Sequence, residues 1–157
     1  NLPGYSGETI PLLSEALATI PPDRMLVIEI KSGREILVPL YEVIQEHWKQ
    51  GRIAFIAFDL ETIMATKKLF PEVPCYYLAA FRSAVNAPYE TIMEGPLDGV
   101  NLRHKIIREE IVERFHEGGK AVWCWTVNDP EEAREMIQMG VSAITTDRPK
   151  WLKESLQ

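Results

Sequence analysis

The chain has 157 residues, of which 46% are hydrophobic and 25% are charged, and its formal net charge is −6. This length suits one globular domain or a large part of one, and there is no run of the roughly 20 apolar residues that a membrane-spanning helix requires. Acidic and basic residues are mixed without a block of either sign, which is unfavourable for a nucleic-acid-binding surface. The opening NLPGYSGETIP lacks the features of a secretory signal, so the compartment stays open.

Short apolar stretches alternate along the chain with helical patterns. The first helix is predicted within residues 9–21, where apolar residues share one face and prolines end the pattern. The next stretch, MLVIEIK at 25–31, is too short for a surface helix and is typical of a strand buried on both faces. Pro39 stands where a first helical residue is expected and predicts a helix that runs to Gly51.

The same alternation continues to the end of the chain. Strands are predicted at 52–58, 74–80, 97–102, 121–127 and 141–147, and helices at 60–70, 108–119, 130–140 and 149–157. Six apolar strands separated by helices predict an α/β protein with a parallel sheet. This pattern alone does not distinguish a barrel from an open sheet. No dinucleotide-binding or P-loop motif follows any strand.

The two cysteines, Cys75 and Cys124, each lie inside an apolar stretch and are far apart in the sequence. Zinc and redox sites place their cysteines close together. We therefore predict two buried free thiols.

Polar or aromatic residues stand where the predicted strands end. In parallel α/β folds, side chains at the carboxyl ends of the strands are the ones that contact a ligand. The residues in this position are Glu29, Lys31, Asp59, Asn101, Trp125, Thr126, Asn128, Thr146 and Asp147.

Glu29 and Lys31 are two residues apart, so on a strand their side chains point the same way. The carboxylate could bind a divalent metal while the ammonium group contacts a phosphoryl oxygen. The alternative is an ion pair at the end of the sheet, which the spacing alone favours. By the same reasoning Trp125 is more typical of a core residue than of a ligand-binding wall.

Several other polar residues have structural explanations. Asp59 and Asp129 each precede a predicted helix and are expected to be N-caps. We expect His47 to pack on a helix face, His116 to lie near a helix C-terminus, and His104 to lie at the surface.

The ordered set IPLLSEAL, VIEIK, IAFIAFD, LDGVNL, VWCWTVND and GVSAITTDRP resembles the glycerophosphodiester phosphodiesterase family over nearly the whole chain. This resemblance implies a (β/α)8 TIM-type barrel that hydrolyses glycerophosphodiesters to an alcohol and glycerol 3-phosphate with a divalent metal, Mg2+ or Ca2+. By the same resemblance, Glu29 is a metal ligand, Lys31 is a catalytic phosphate contact, and Trp125 is the aromatic wall of the glycerol pocket.

Several family motifs do not occur in the sequence. These are the His-Arg-Gly, Glu-Asn-Thr, Glu-x-Asp and His-Asp motifs, which include the two histidines that act as general acid and base. The resemblance therefore makes residues 1–157 the C-terminal portion of a larger barrel domain and its six strands the third to the eighth. Such a barrel typically has about 250 residues. We accordingly expect the isolated 157 residues to be inactive.

Two other interpretations stay open. A partial barrel without catalysis would be a binding or assembly module that pairs its open sheet edges with another chain. If the motif match were coincidental, the chain would be another phosphate-binding α/β domain, with an anion at a helix N-terminus. Neither the alcohol that is released nor the oligomeric state follows from the sequence.

Overall fold

A computed structural model describes Gly7 and residues 9–157. Its strands form one parallel sheet in the order β1-β2-β3-β4-β5-β6. The strands are β1 (Met25–Glu29), β2 (Arg52–Ala57), β3 (Cys75–Ala79), β4 (Gly99–Arg103), β5 (Ala121–Trp125) and β6 (Ala143–Ile144). Each strand therefore pairs with its neighbour in sequence, and the prediction of six parallel strands is confirmed.

Helices occupy the connections between the strands. They are α1 (Leu13–Ala18), α2 (Leu37–His47), α3 (Leu60–Leu69), α4 (Arg82–Asn86), α5 (Tyr89–Glu94), α6 (Glu109–Glu117), α7 (Pro130–Gln138) and α8 (Pro149–Ser155). Short 3-10 turns precede α2 and α6, at Arg34–Ile36 and His104–Ile106. In residues 9–157 we find no helix with the length and apolar character needed to cross a membrane.

The structure differs from the predicted elements at residues 81–96, at the start of α2 and in the length of β6. No helix or strand is predicted at 81–96, yet this stretch holds two short helices, α4 and α5. Helix α2 begins at Leu37, so Pro39 is its third residue. Proline is tolerated there because the first N–H groups of a helix have no intrahelical acceptor.

The predicted strand at 141–147 is shortened to two residues. Backbone bonds still join Ser142 to Val122 and Thr145 to Cys124, each at 2.8 Å. Beyond them the N–H of Asp147 donates to the side chain of Asn128 at 2.9 Å. A side-chain acceptor thus replaces the backbone carbonyl and ends the ladder.

Strand β1 was predicted to be buried on both faces, and this is wrong. Among the described residues β1 pairs only with β2, and Val27 is 43% exposed. The apolar composition of β1 therefore does not reflect complete burial.

The two faces of the sheet differ in what covers them. Side chains that face the helices form the main core, and they include Phe55, Cys75, Leu102, Val122 and Cys124. The prediction of two buried free thiols is confirmed.

The opposite face, which we call the inner face, carries Ile56, Tyr76, Leu78, Asn101 and Trp123, whose strand registers place them side by side. The rings of Tyr76 and Trp123 stack with their centroids 3.9 Å apart. This aromatic pair lies below the carboxyl-end rim of the sheet, where the candidate site begins.

Candidate functional site

A cavity of about 200 Å³ opens at the carboxyl ends of the strands, on the inner face. Four of its lining residues come from the set that the sequence predicted: Glu29, Asn101, Trp125 and Thr126. The other four are Ile56, Phe58, Leu78 and Thr145. The cavity thus combines an apolar floor with one carboxylate, one amide, two hydroxyls and an indole.

Glu29 ends β1, in register with Ile56 on β2. This pairing turns its carboxylate toward the cavity, and its side chain is 34% exposed. The ammonium group of Lys31 lies 3.9 Å from Glu29 Oε2, so the two charges form an ion pair as the spacing predicted.

Lys31 itself is not among the residues that line the cavity, and its side chain is 80% exposed. At this exposure the ion pair contributes little to stability. The ammonium group is therefore free to rotate toward an anion near Glu29 without loss of a buried contact.

Trp125 is held from two sides. Its indole N–H donates to the backbone carbonyl of Asn101 at 3.2 Å, and the ring of Phe58 meets it edge-on with centroids 5.8 Å apart. The indole is half-buried and walls the cavity. Trp125 is thus a cavity residue and not part of the main core.

The amide of Asn101 lies deepest among the polar groups of the cavity. The residue is 2% exposed, and its Oδ1 has no hydrogen-bond partner among the described residues. A buried polar atom without a partner is rare, because burial removes its hydrogen bond to water.

The remaining polar residues at the strand ends stabilise loops. Asn128 Nδ2 donates to Asp147 Oδ2 at 2.7 Å, and Thr146 Oγ1 donates to Asn128 Oδ1 at 3.0 Å. These bonds join the loop after β5 to the loop after β6. None of the three residues lines the cavity.

The two aspartates predicted as N-caps have that role. Asp59 Oδ1 accepts the backbone N–H of Thr62 at 2.8 Å, and Asp129 Oδ1 accepts that of Glu131 at 2.8 Å. Hydrogen bonding from Thr62 lowers the pKa of Asp59 below its ordinary value. Both carboxylates therefore serve the first turn of a helix.

The histidines differ from expectation at two positions. The side chain of His104 is only 12% exposed, so its predicted surface position is wrong. It lies between the carbonyl of Trp125, 3.3 Å from Nδ1, and the carboxylate of Glu132, 3.4 Å from Nε2. His47 is exposed and does not pack on a helix face, while His116 is exposed near the end of α6 as predicted.

The described residues do not form a metal site on their own. Within residues 9–157 no three side chains of His, Cys, Asp or Glu are grouped so that they could hold a metal ion. Glu29 offers a single carboxylate, and divalent cations such as Mg2+ and Ca2+ need six or more ligands, mostly oxygens.

The sequence did not single out Ile56, Phe58, Leu78 or Thr145. The signal was available for Phe58, because it follows Ile56 by two residues and a strand alternates its faces with period two. Extending that alternation one step beyond β2 places Phe58 on the rim of the same face as Glu29.

The sequence profile described as "Glycerophosphoryl diester phosphodiesterase family" matches residues 5–151. A glycerophosphodiester phosphodiesterase of Caldanaerobacter subterraneus is 29% identical over 154 residues, which cover 94% of this chain and 62% of the relative.

Two solved structures show the same fold. A glycerophosphodiester phosphodiesterase from Thermotoga maritima has a TM-score of 0.74 at 20% identity, over 92% of this chain and 63% of its own. A phosphodiesterase from Oleispira antarctica, solved with its product sn-glycerol-3-phosphate, has a TM-score of 0.70 at 22% identity, over 78% of this chain and 49% of its own. The chain thus spans only about half to two thirds of the proteins it matches.

Proposed function

Since this chain belongs to the glycerophosphoryl diester phosphodiesterase family, we propose that it hydrolyses glycerophosphodiesters to an alcohol and glycerol 3-phosphate as part of a larger chain. The observation that carries the proposal is the meeting of Glu29 and Trp125 at one cavity at the carboxyl ends of the strands. This edge of a parallel sheet is where α/β barrel enzymes place their active sites.

Lys31 and Trp125 have separate roles in this proposal. Lys31 is the catalytic phosphate contact, since its ammonium group is exposed 3.9 Å from Glu29 and can neutralise charge that develops on a phosphoryl oxygen. Trp125 is the wall against which the carbon atoms of glycerol pack. Its hydrogen bond to the Asn101 carbonyl fixes the plane of that wall before substrate binds.

We further propose that the enzyme requires a divalent metal, Mg2+ or Ca2+, and that Glu29 supplies one of its ligands. When bound, such a metal would act as a Lewis acid toward the phosphoryl group. A single carboxylate does not make a site for either ion. The other ligands must therefore come from residues outside the described part of the chain.

The proton donor and the remaining strands of the barrel must also come from outside the described residues. No histidine of residues 9–157 lines the cavity, so the proton of the leaving alcohol must come from elsewhere. We propose that residues 1–157 are the C-terminal portion of a (β/α)8 barrel and contribute its last six strands. The isolated 157 residues are accordingly expected to lack activity.

The test is turnover of sn-glycero-3-phosphocholine by the full-length protein, with release of glycerol 3-phosphate as the readout. Activity should disappear with EDTA and return with Mg2+ or Ca2+. Glu29→Gln should raise the metal concentration needed for half-maximal activity, while Glu46→Gln, which alters an exposed carboxylate on α2, should not change it. Turnover that is unaffected by EDTA would contradict the metal requirement, and metal-dependent turnover by residues 1–157 alone would contradict the proposed division of the site.

A second function is supported by the edge strand. The exposed Val27 on β1, which pairs only with β2 among the described residues, suits pairing with another chain. A catalytically inactive partial barrel would then be an assembly module. Sedimentation and turnover of the full-length protein would distinguish the two functions, because an assembly module predicts an oligomer whose population rises with concentration and that shows no turnover.

A further inference from the structure

The side chain of Asn101 is a buried amide that the fold itself does not use. It is 2% exposed, and Oδ1 finds no hydrogen-bond partner within residues 9–157. Its register partners on the neighbouring strands are Leu78 and Trp123, whose side chains offer Oδ1 no hydrogen bond. Yet the residue lines the cavity together with Glu29 and Trp125.

The main chain of Asn101 has a clear structural role, and its side chain does not. The backbone carbonyl accepts the indole N–H of Trp125 at 3.2 Å, and any residue type would provide that carbonyl. An apolar side chain would suit the rest of this position, since its register neighbours Leu78 and Trp123 are an apolar and an aromatic residue. Burying an unpaired amide is unfavourable, so a purely structural residue here would not be asparagine.

We propose that Asn101 contacts the substrate directly and selects for a hydroxyl group of its glycerol part. This inference rests on the proposed function and names a specificity-determining residue for it. An amide carries one acceptor and two donor hydrogens, and a hydroxyl can both donate and accept. A hydroxyl can therefore donate its hydrogen to Oδ1, the atom that has no partner within residues 9–157.

The neutral amide of Asn101 is better suited to a hydroxyl group than to the phosphate. A phosphoryl oxygen only accepts hydrogen bonds, so it would leave Oδ1 unpaired. The charged groups near the cavity mouth are Glu29 and Lys31, and the neutral Asn101 lies apart from this pair on β4. The deep amide thus suits the neutral end of a glycerophosphate, with the charged end near the ion pair.

The experiment measures binding of sn-glycerol 3-phosphate and of propyl phosphate, which lacks both hydroxyls, to the full-length protein. The wild type should bind the glycerol compound more tightly, by roughly tenfold for one hydrogen bond. In Asn101→Ala this preference should fall toward one, because affinity for the glycerol compound decreases while affinity for propyl phosphate is kept. Asn101→Leu, which preserves the volume, should give the same loss if the alanine variant does not fold.

Leu102→Val is the matched control, because it alters the next residue of β4 on the helix-facing side. Its preference should equal that of the wild type. If both Asn101 variants keep the wild-type preference, the role of Asn101 is overturned while the proposed function stands. If the wild type binds neither compound, the proposed function fails and the inference fails with it.

Discussion

The indole N–H of Trp125 donates to the backbone carbonyl of Asn101 across 3.2 Å, which fixes the indole of β5 to the neighbouring strand. The ring that walls the cavity is therefore positioned by a main-chain group of β4. The side-chain amide of Asn101 is also the deepest polar group of that cavity. One asparagine thus fixes the wall of the cavity and also supplies its deepest polar group.

The first prediction concerns this bond. Trp125→Phe keeps an aromatic face but removes the N–H, so the ring is held less firmly and KM for a glycerophosphodiester should rise several-fold. Trp125→Ala removes the wall itself and should raise KM further. Steady-state kinetics of the full-length protein provide the measurement. Trp151→Phe, on the exposed side of α8, is the control, and equal KM values for all three variants would rule out Trp125 as a substrate contact.

A second prediction concerns Lys31. Lys31→Met removes the only ammonium group beside Glu29 in the described chain and should lower kcat/KM by at least about tenfold, since it removes charge stabilisation of the phosphoryl oxygens. Lys31→Arg should recover part of the loss. Lys150→Met removes another highly exposed ammonium group, on α8, and should have no effect. A Lys31→Met enzyme with normal kcat/KM would show that the ion pair with Glu29 is only structural.

A third prediction concerns stability. Lys67 is largely buried, and its Nζ lies 3.0 Å from Asp98 Oδ2 and 3.1 Å from the carbonyl of Val73. Asp98→Asn leaves this buried cation without its counter-charge and should lower the free energy of unfolding by about 3 kcal/mol. Asp23→Asn breaks an exposed pair with Arg24 and should cost less than about 1 kcal/mol. Urea unfolding measures the free energy of unfolding of both variants. Similar losses in the two would contradict the claim that the buried ion pair stabilises the fold more than the exposed one.

Alkaline pH should destabilise the fold. Burial raises the pKa of Cys75 and of Cys124 from 9.0 to about 12, and that of Tyr76 from 10.0 to about 12. Between pH 9 and 12 the unfolded chain loses these protons while the folded chain keeps them, so stability is full below pH 9 and falls as the pH rises.

Urea midpoints at pH 8 and pH 10.5 measure this effect. The midpoint should be lower at the higher pH, and Cys124→Ala should show a smaller drop because it lacks one of the titrating groups. A midpoint that is the same at both pH values would contradict the raised pKa values.

The last prediction separates a helix cap from a site residue. Asp59→Ala should cost about 1 kcal/mol of stability because α3 loses its N-cap, with no change in kcat/KM. The pKa of Asp59 is lowered, so the contribution is complete above pH 3.8 and is lost as the pH falls through the lower value of the folded state. Asp129→Ala should cost a similar amount of stability, because α7 loses its N-cap. A loss of kcat/KM with unchanged stability would instead place Asp59 in the active site.

Periodicity predicted the architecture correctly where burial and sequence pattern agree. The central strands β2 to β5 lie near their predicted positions because each has a helix-facing side that is fully buried, and such strands are continuous apolar runs. The aspartate caps were equally predictable, since a cap depends on residues within one helical turn.

Short helices and the exposure of individual residues were harder to predict. Helices α4 and α5 are too short to show a full period, so the stretch at 81–96 had no readable pattern. The exposure of Val27 and the burial of His104 depend on which strands and helices lie beside them. That information is distributed over residues far apart in the sequence.

The order of strands and helices, the caps, and the polar residues at the strand ends can be predicted from the sequence, because they depend on local spacing and on backbone hydrogen bonding. Which of those residues meet depends on the tertiary structure. It brought Glu29, Asn101 and Trp125 to one cavity, left Lys31 at its edge, and sent Asn128 and Asp147 to a loop contact. The reason is physical: the register and the inward or outward direction of each side chain are set by pairing between strands 20 or more residues apart, which no local pattern encodes.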